Sequence, residues 1–215
     1  MTWVKICGIT NLEDAMEAIH WGADALGFNF YSKSPRFISP IHAMELIKEL
    51  PDQVIRVAVF VNETEPKVRA IKEQCFINLL QFHGDESFDF CKKFKGEFFK
   101  VFRLKKESDL SQIAPFIPLM TKKSRFLLDS KVEGFYGGSG ISFNWEWAKK
   151  AKSYGEIILS GGLNPENIQD ALNQVSPFGV DVCSGVEGKD PRKKDLQKIK
   201  KFIQNIRNWD NTNKK

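Results

Sequence analysis

The feature that most limits the fold of this chain is a repeating alternation of short β-type runs and segments of helical spacing, sustained from one end to the other. Strands are predicted at Trp3–Cys7, Ala25–Phe30, Ile55–Phe60, Leu79–Phe82, Phe98–Phe102, Arg125–Leu128, Glu156–Leu159 and Gly179–Val182. The clearest helix follows the first strand, where Leu12, Ala15, Met16 and Ile19 fall on one face. Thr10 and Glu13 have capping-box spacing at its start, and Gly22 stands just past its end. Ser39-Pro40 and Asn164-Pro165 each read as an N-cap followed by proline in the first turn. Asp195 to Arg207 forms the last helix, with Leu196, Ile199, Phe202, Ile203 and Ile206 on one side. Asn208–Lys215 is expected to fray as a short basic tail.

Eight strands alternating with eight helical segments imply an α/β fold with a parallel sheet. Closing eight units on themselves satisfies every strand edge, so the expected fold is a single-domain (β/α)8 barrel spanning residues 1–207. An open doubly wound sheet is the alternative, but no G-x-G-x-x-G follows the first strand.

Composition removes several function classes. At 42% hydrophobic and 27% charged residues the chain can bury a core. No apolar run approaches the length needed to cross a bilayer, and Met1–Thr10 has no secretory pattern, so no membrane role and a cytoplasmic location are expected. The four cysteines lack C-x-x-C spacing and there are three histidines, which argues against a metal site or a disulfide framework. The net charge of +5 is concentrated in residues 191–215, which hold nine Lys/Arg and two Asp. The basicity belongs to the last helix and tail, so no nucleic-acid partner is expected.

In such a barrel, chemistry belongs at the C-terminal ends of the strands. Cys7 ends the first strand and Asp129 follows the sixth. Side chains alternate, so Lys5 and Cys7 share the inward face once Val4 and Ile6 face the helices. A buried lysine requires a partner, and its charge favours a thiolate. On these residues alone, Cys7 is equally readable as a small buried apolar side chain. Asp129 reads as a complementary acid or as a loop anchor. An acid role asks for burial or a nearby negative charge.

Gly161-Gly162 and Ser184-Gly185, after strands seven and eight, are read as a phosphate seat. Arg36 and His83, in the loops after strands two and four, are candidate substrate-binding residues. Arg36 could clamp a carboxylate or stand as an ordinary surface arginine. Gly137-Gly138-Ser139-Gly140 reads either as a mobile lid or as a flexible connection.

Several motifs together resemble the phosphoribosylanthranilate isomerase family. They are Lys5-Ile-Cys-Gly-Ile-Thr10, Gly22-Ala-Asp-Ala-Leu-Gly-Phe28, Ser34-Pro-Arg-Phe-Ile-Ser39, Val59-Phe-Val-Asn62 and Gln81-Phe-His-Gly84. Further along come Leu127-Leu-Asp-Ser130, Tyr136-Gly-Gly-Ser-Gly140 with Phe143-Asn-Trp145, Leu159-Ser-Gly-Gly-Leu-Asn-Pro-Glu-Asn167 and Val180-Asp-Val-Cys-Ser-Gly-Val-Glu187. The resemblance implies an Amadori rearrangement of a phosphorylated aminosugar in tryptophan biosynthesis, with no metal or organic cofactor. It implies Asp129 as the acid that opens the furanose ring and Cys7 as the base at sugar C2. By the same resemblance Arg36 holds the anthranilate carboxylate, Asp181 lies beside the substrate, and the last two loops hold the phosphate. The expected partner is the small-molecule substrate, with the protein a monomer or a homodimer.

Three departures from the family pattern are Cys183 where serine is common, the irregular segment Gly188–Lys194, and the bulky Val101-Phe-Arg-Leu104. First and eighth strands are neighbours in a closed barrel, which brings Cys7 and Cys183 near each other. The runner-up function is a non-catalytic phosphosugar-binding barrel. Other phosphate-binding barrels fit less well. Indole-glycerol-phosphate synthase asks for a catalytic lysine and glutamates at strand ends. The related histidine-pathway isomerase asks for aspartate at position 7 and a two-half repeat.

Overall fold

Why the chain closes into a cylinder follows from the alternation just described, and a computed structural model shows how. It describes residues 1–94, 96, 98–119, 125–132, 136–138 and 140–213. Eight strands form a closed, all-parallel barrel in sequence order. They are β1 (Trp3–Cys7), β2 (Ala25–Asn29), β3 (Ile55–Phe60), β4 (Leu79–Phe82), β5 (Phe98–Leu104), β6 (Arg125–Ser130), β7 (Glu156–Leu159) and β8 (Gly179–Val182). The outer helices are α1 (Leu12–Trp21), α2 (Pro40–Lys48), α3 (Glu65–Gln74), α4 (Phe88–Lys92), α5 (Trp145–Ala151), α6 (Ile168–Val175) and α7 (Leu196–Thr212). No helix among the described residues is long and apolar enough to cross a membrane.

The period of two divides each strand between two cores. Outward residues such as Val4, Ile6, Leu26, Phe28, Leu128 and Leu159 pack against the helices. Inward residues close the lower barrel with Phe99, Val101, Leu127 and Ile158, against which Trp3, Leu79 and Phe178 pack. The upper inward layer is polar, holding Lys5, Gln81, Asp129 and Asp181, all buried. Lys5, Gln81 and Asp129 each sit two positions beyond an inward apolar residue, Trp3, Leu79 and Leu127, so the apolar floor fixes the direction of most of the functional layer.

Several sequence expectations are revised. The capping box does not form. Asn11 is the N-cap of α1, its side chain accepting from Asp14 N, while Thr10 Oγ1 donates to the Arg192 carbonyl. Gly22 does end that helix, at φ 99°. Ser39 caps α2 as expected. Asn164 accepts from the backbone N–H groups of Glu166 and Asn167, but it organises a turn, and α6 begins only at Ile168. The described part of the segment between β5 and β6 holds two 3-10 helices, Glu107–Gln112 and Ala114–Leu119, instead of an α-helix. Pro115 and Pro118 lack the N–H groups that an α-helix there would need.

Strand β2 stops at Asn29, and the other two revised strands run longer than predicted. The register Arg103↔Asp129 and Leu104↔Ser130 extends β5 and β6 to these residues. Asp129 therefore lies within the ladder and not in the loop after it.

The last helix does not end at Arg207 but runs to Thr212. Asp210 is buried and accepts from both Thr2 N and Thr2 Oγ1. Arg207 Nη1 donates to the Thr2 carbonyl, and its Nη2 to the Gly22 carbonyl. The expected tail at 208–213 is thus a clamp that ties the end of the chain to its start. Lys214 and Lys215 lie outside the described residues.

Candidate active site

The inward face of β1 carries Lys5 and Cys7 into the barrel mouth, and its neighbour β2 makes room for them. Gly27 pairs with Cys7 in register. A Cβ on Gly27 would lie 2.7 Å from Cys7 Sγ and 3.0 Å from Lys5 Nζ. Lys5 is fully buried, and its ammonium meets Asp181 Oδ1 at 2.7 Å. This is the partner that a buried lysine requires. Burial alone would lower the Lys5 pKa, but Asp181 and Cys7 together outweigh it and hold the ammonium charged. Burial pushes Asp181 up to about 6, with Cys7 adding to the shift and Lys5 opposing it. Ser160 Oγ donates to the second Asp181 oxygen at 3.4 Å.

Cys7 is held well below the usual thiol range. A hydrogen bond from Cys183 is the largest cause, burial opposes it, and the charges of Lys5 and Lys194 add to the lowering. The partner thiol of Cys183 moves the other way, well above the usual range, chiefly through its bond to Cys7 and its burial. Cys7 is thus the thiol that ionises.

Asp129, 3% exposed, projects from β6 into the same mouth. Its Oδ1 accepts from Ser130 N at 2.7 Å and its Oδ2 lies 3.0 Å from His83 Nε2. The other ring nitrogen, His83 Nδ1, is 2.9 Å from Gln81 Nε2. With Gln81 donating, Nδ1 is the acceptor and Nε2 carries the hydrogen that Asp129 accepts.

Cys7, Arg36, His83, Asp129, Asp181 and Cys183 all line one cavity of about 340 Å³. The structure thus brings both sequence-predicted acid–base candidates and all three substrate-binding candidates to one place. A smaller recess continues from it, lined by Gly161, Gly162 and Ser184 among others. Gly161 and Gly162 have φ of 83° and 66°, the left-handed region that favours glycine. Gly185 is different in kind. A side chain there would collide with the Leu163 carbonyl, so its missing Cβ serves the packing of two loops.

Arg36 is not free-standing. Its Nε and Nη2 donate to the two Glu187 oxygens at 2.6 and 2.9 Å. That bidentate pair fixes the guanidinium plane and leaves the edge carrying Nη1 unused by Glu187. Glu187 also receives the fully buried Lys194 ammonium at 3.0 Å. Burial would raise the Glu187 carboxyl, but the two cations, Arg36 foremost, keep it low.

Gly137 and Gly138, after β6, lie over these groups. A Cβ on Gly137 would approach His83 to 2.9 Å, and one on Gly138 would approach Arg36 Nη1 to 2.5 Å. Tyr136, beside them, donates to Asp85 and lies under the Arg103 guanidinium. Ser139 of the predicted glycine run lies outside the described residues.

Sequence reasoning did not find Gln81, Glu187 or Lys194 as parts of the site. Gln81 had an available signal, since it sits on the inward period of its strand. Lys194 had none, because it follows Lys193 in a charged loop and only tertiary contact separates the two.

Comparison with known proteins places this architecture and site among named relatives. The family model described as N-(5'phosphoribosyl)anthranilate (PRA) isomerase matches residues 4–205. An N-(5'-phosphoribosyl)anthranilate isomerase from Trichlorobacter lovleyi is 46% identical over 208 residues, covering 96% of this chain and 98% of its own. The crystal structure of phosphoribosyl anthranilate isomerase from Thermotoga maritima is 41% identical with a TM-score of 0.88, covering 97% of this chain and 100% of its own. A phosphoribosyl anthranilate isomerase solved in complex with reduced 1-(o-carboxyphenylamino)-1-deoxyribulose 5-phosphate is 40% identical over the same shares, with a TM-score of 0.85.

Proposed function

Because the chain belongs to the N-(5'-phosphoribosyl)anthranilate isomerase family and is an isomerase of tryptophan biosynthesis, we propose that Cys7 and Asp129 are its acid–base pair. The observation that carries the assignment is their arrival on inward positions of β1 and β6, in one cavity that also holds Arg36 and opens toward the Gly161-Gly162 loop.

The reaction begins at the furanose ring. Asp129 gives a proton to the ring oxygen as the C1–O bond breaks, and the anthranilate nitrogen lone pair forms the C1=N bond of a Schiff base. The Cys7 thiolate then takes the proton from C2. The electrons of that C–H bond form C1=C2 and return a neutral enolamine, which tautomerises to the 2-ketone. A base with a lowered pKa suits this step, because lowering the pKa enlarges the fraction of Cys7 present as the nucleophilic thiolate.

The remaining residues bind and orient. Arg36, its plane set by Glu187, receives the anthranilate carboxylate on the Nη1 edge. Gly161, Gly162, Ser184 and Gly185 form the phosphate end, where positive-φ glycines and loop N–H groups approach the anion. Asp181, tied to Lys5 and Ser160, stands beside the sugar. His83 acts through Asp129, since both its ring nitrogens are engaged by Gln81 and Asp129. A cytoplasmic location suits a mechanism that needs Cys7 kept reduced.

The test is turnover of freshly generated phosphoribosylanthranilate, followed as loss of its fluorescence. Turnover that ceases in the Asp129→Asn and Cys7→Ala variants is the expected result. A folded parent that binds the reduced product analogue without converting substrate would point to a non-catalytic phosphosugar-binding barrel.

A further inference from the structure

Cys183 touches no reacting atom in the isomerisation as derived above, yet it is built against the base. The β1–β8 register pairs Ile6 with Val182, so Cys7 and Cys183 are the next pair of facing residues. Both belong to the inward period of their strands and both line the main cavity. Adjacent strands lie about 4.8 Å apart, within the roughly 4.4–6.8 Å Cα separation that a disulfide spans. The Cys183 sulfur leans toward β1, since a Cβ on Gly8 would lie 3.0 Å from it. Its thiol donates to Glu187 Oε1 at 3.5 Å, at the rim of the same cluster. Two buried ammonium groups flank the pair, Lys5 on one side and Lys194 on the other, whose Nζ is 3.9 Å from Cys183 Sγ.

We propose that Cys7 and Cys183 form a peroxide-reactive dithiol that closes to a disulfide and switches the active site off reversibly. The attacking group is the Cys7 thiolate. It forms an S–O bond with one peroxide oxygen while the O–O bond breaks, and the second oxygen leaves as water after protonation. The Cys183 sulfur then attacks the Cys7 sulfenic acid. The S–S bond forms, the S–O bond breaks, and a second water departs with the Cys183 proton. Two thiols are oxidised by two electrons in all, and hydrogen peroxide is reduced to two waters. The resolving thiol is in place before oxidation, so the sulfenic acid is captured ahead of irreversible sulfinic acid.

The molecule carries its own controls. Cys75 and Cys91 are buried on the helical shell, and burial pushes Cys75 up and Cys91 to about 12. At Cys91 burial outweighs the charge of Lys100 and Glu86 opposes that charge, and at Cys75 burial is the cause of the rise, so both stay thiols under mild peroxide.

The experiment exposes the full chain to hydrogen peroxide, alkylates remaining thiols after denaturation, and maps the peptides by mass. Activity is read before and after dithiothreitol, relative to each variant's own untreated rate. The expected result is loss of two alkylatable thiols per chain, a cross-linked Cys7–Cys183 peptide, and loss of activity that dithiothreitol restores. In Cys183→Ser the cross-link is absent and prolonged peroxide drives Cys7 to sulfinic acid, which dithiothreitol does not reverse. A parent in which Cys7 reaches sulfinic acid while Cys183 remains alkylatable overturns the proposal. So does a parent that keeps all its thiols where a free cysteine is oxidised. Cys7 is shared with the proposed mechanism, but the thiol map reads the dithiol without turnover. A cross-link in a protein that fails to isomerise substrate would sink the mechanism alone.

Discussion

Gly27 faces Cys7 across β1 and β2, and the space where its side chain would stand is filled by the Cys7 sulfur and the Lys5 ammonium. The basicity and position of the proposed base therefore depend on a residue with no chemistry of its own. Gly27→Ala would put a methyl group 2.7 Å from Sγ, so the sulfur or the strand must shift. A displacement on the order of 1 Å costs about 100-fold in rate. The expected outcome is that kcat falls by about that factor while the chain stays folded by circular dichroism. A variant with parental kcat would show that the position of Cys7 is not critical.

Lys5 supports the Cys7 thiolate and pairs with Asp181. Removing the positive charge makes the thiolate harder to form, so its pKa rises. In Lys5→Gln the acid limb of the kcat/KM profile moves to higher pH, and the pH dependence of Cys7 alkylation moves with it. Asp181 loses its partner and becomes harder to ionise, so the variant is also less stable. An alkylation profile superposable on that of the parent would remove Lys5 from the account.

His83 touches Asp129 and Gln81 with its two ring nitrogens, which makes it a positioning residue. His83→Asn is expected to lower kcat by about 10- to 100-fold with KM close to the parental value. A variant that raises KM at constant kcat would instead mark His83 as a direct substrate contact.

Asp210 joins the last helix to the first strand through Thr2 N and Thr2 Oγ1. Asp210→Ala leaves those donors without their charged acceptor, at a cost of about 2 to 3 kcal/mol. Urea unfolding of the variant should show a lower midpoint with the same slope. Removing residues 211–215 should leave the midpoint nearly unchanged, because the clamp ends at Asp210.

Much of this site was legible because strands impose a period of two. Once Leu127 faces inward, Asp129 must follow it, and once Val4 and Ile6 face the helices, Lys5 and Cys7 must face the mouth. What was not legible depends on contacts distant in sequence. Thr10 has good capping-box spacing, but its hydroxyl is taken by the Arg192 carbonyl and Asn11 caps instead. Asp210 reads as a tail residue until Thr2 is placed beside it. The Glu187 bridge between Arg36 and Lys194 crosses from the loop after β2 to the segment after β8, and no local pattern distinguishes those charges from solvated ones.

The account's central claim is that Asp129 and Cys7 act on protons and not on binding. The most direct test measures kcat and, separately, affinity for the reduced product analogue in Asp129→Asn and Cys7→Ala. The account predicts that kcat falls by about 10³-fold or more in each, while affinity for the analogue stays within a few-fold of the parent. Activity above about a tenth of parental in either variant, or an affinity that falls in step with kcat, would contradict it.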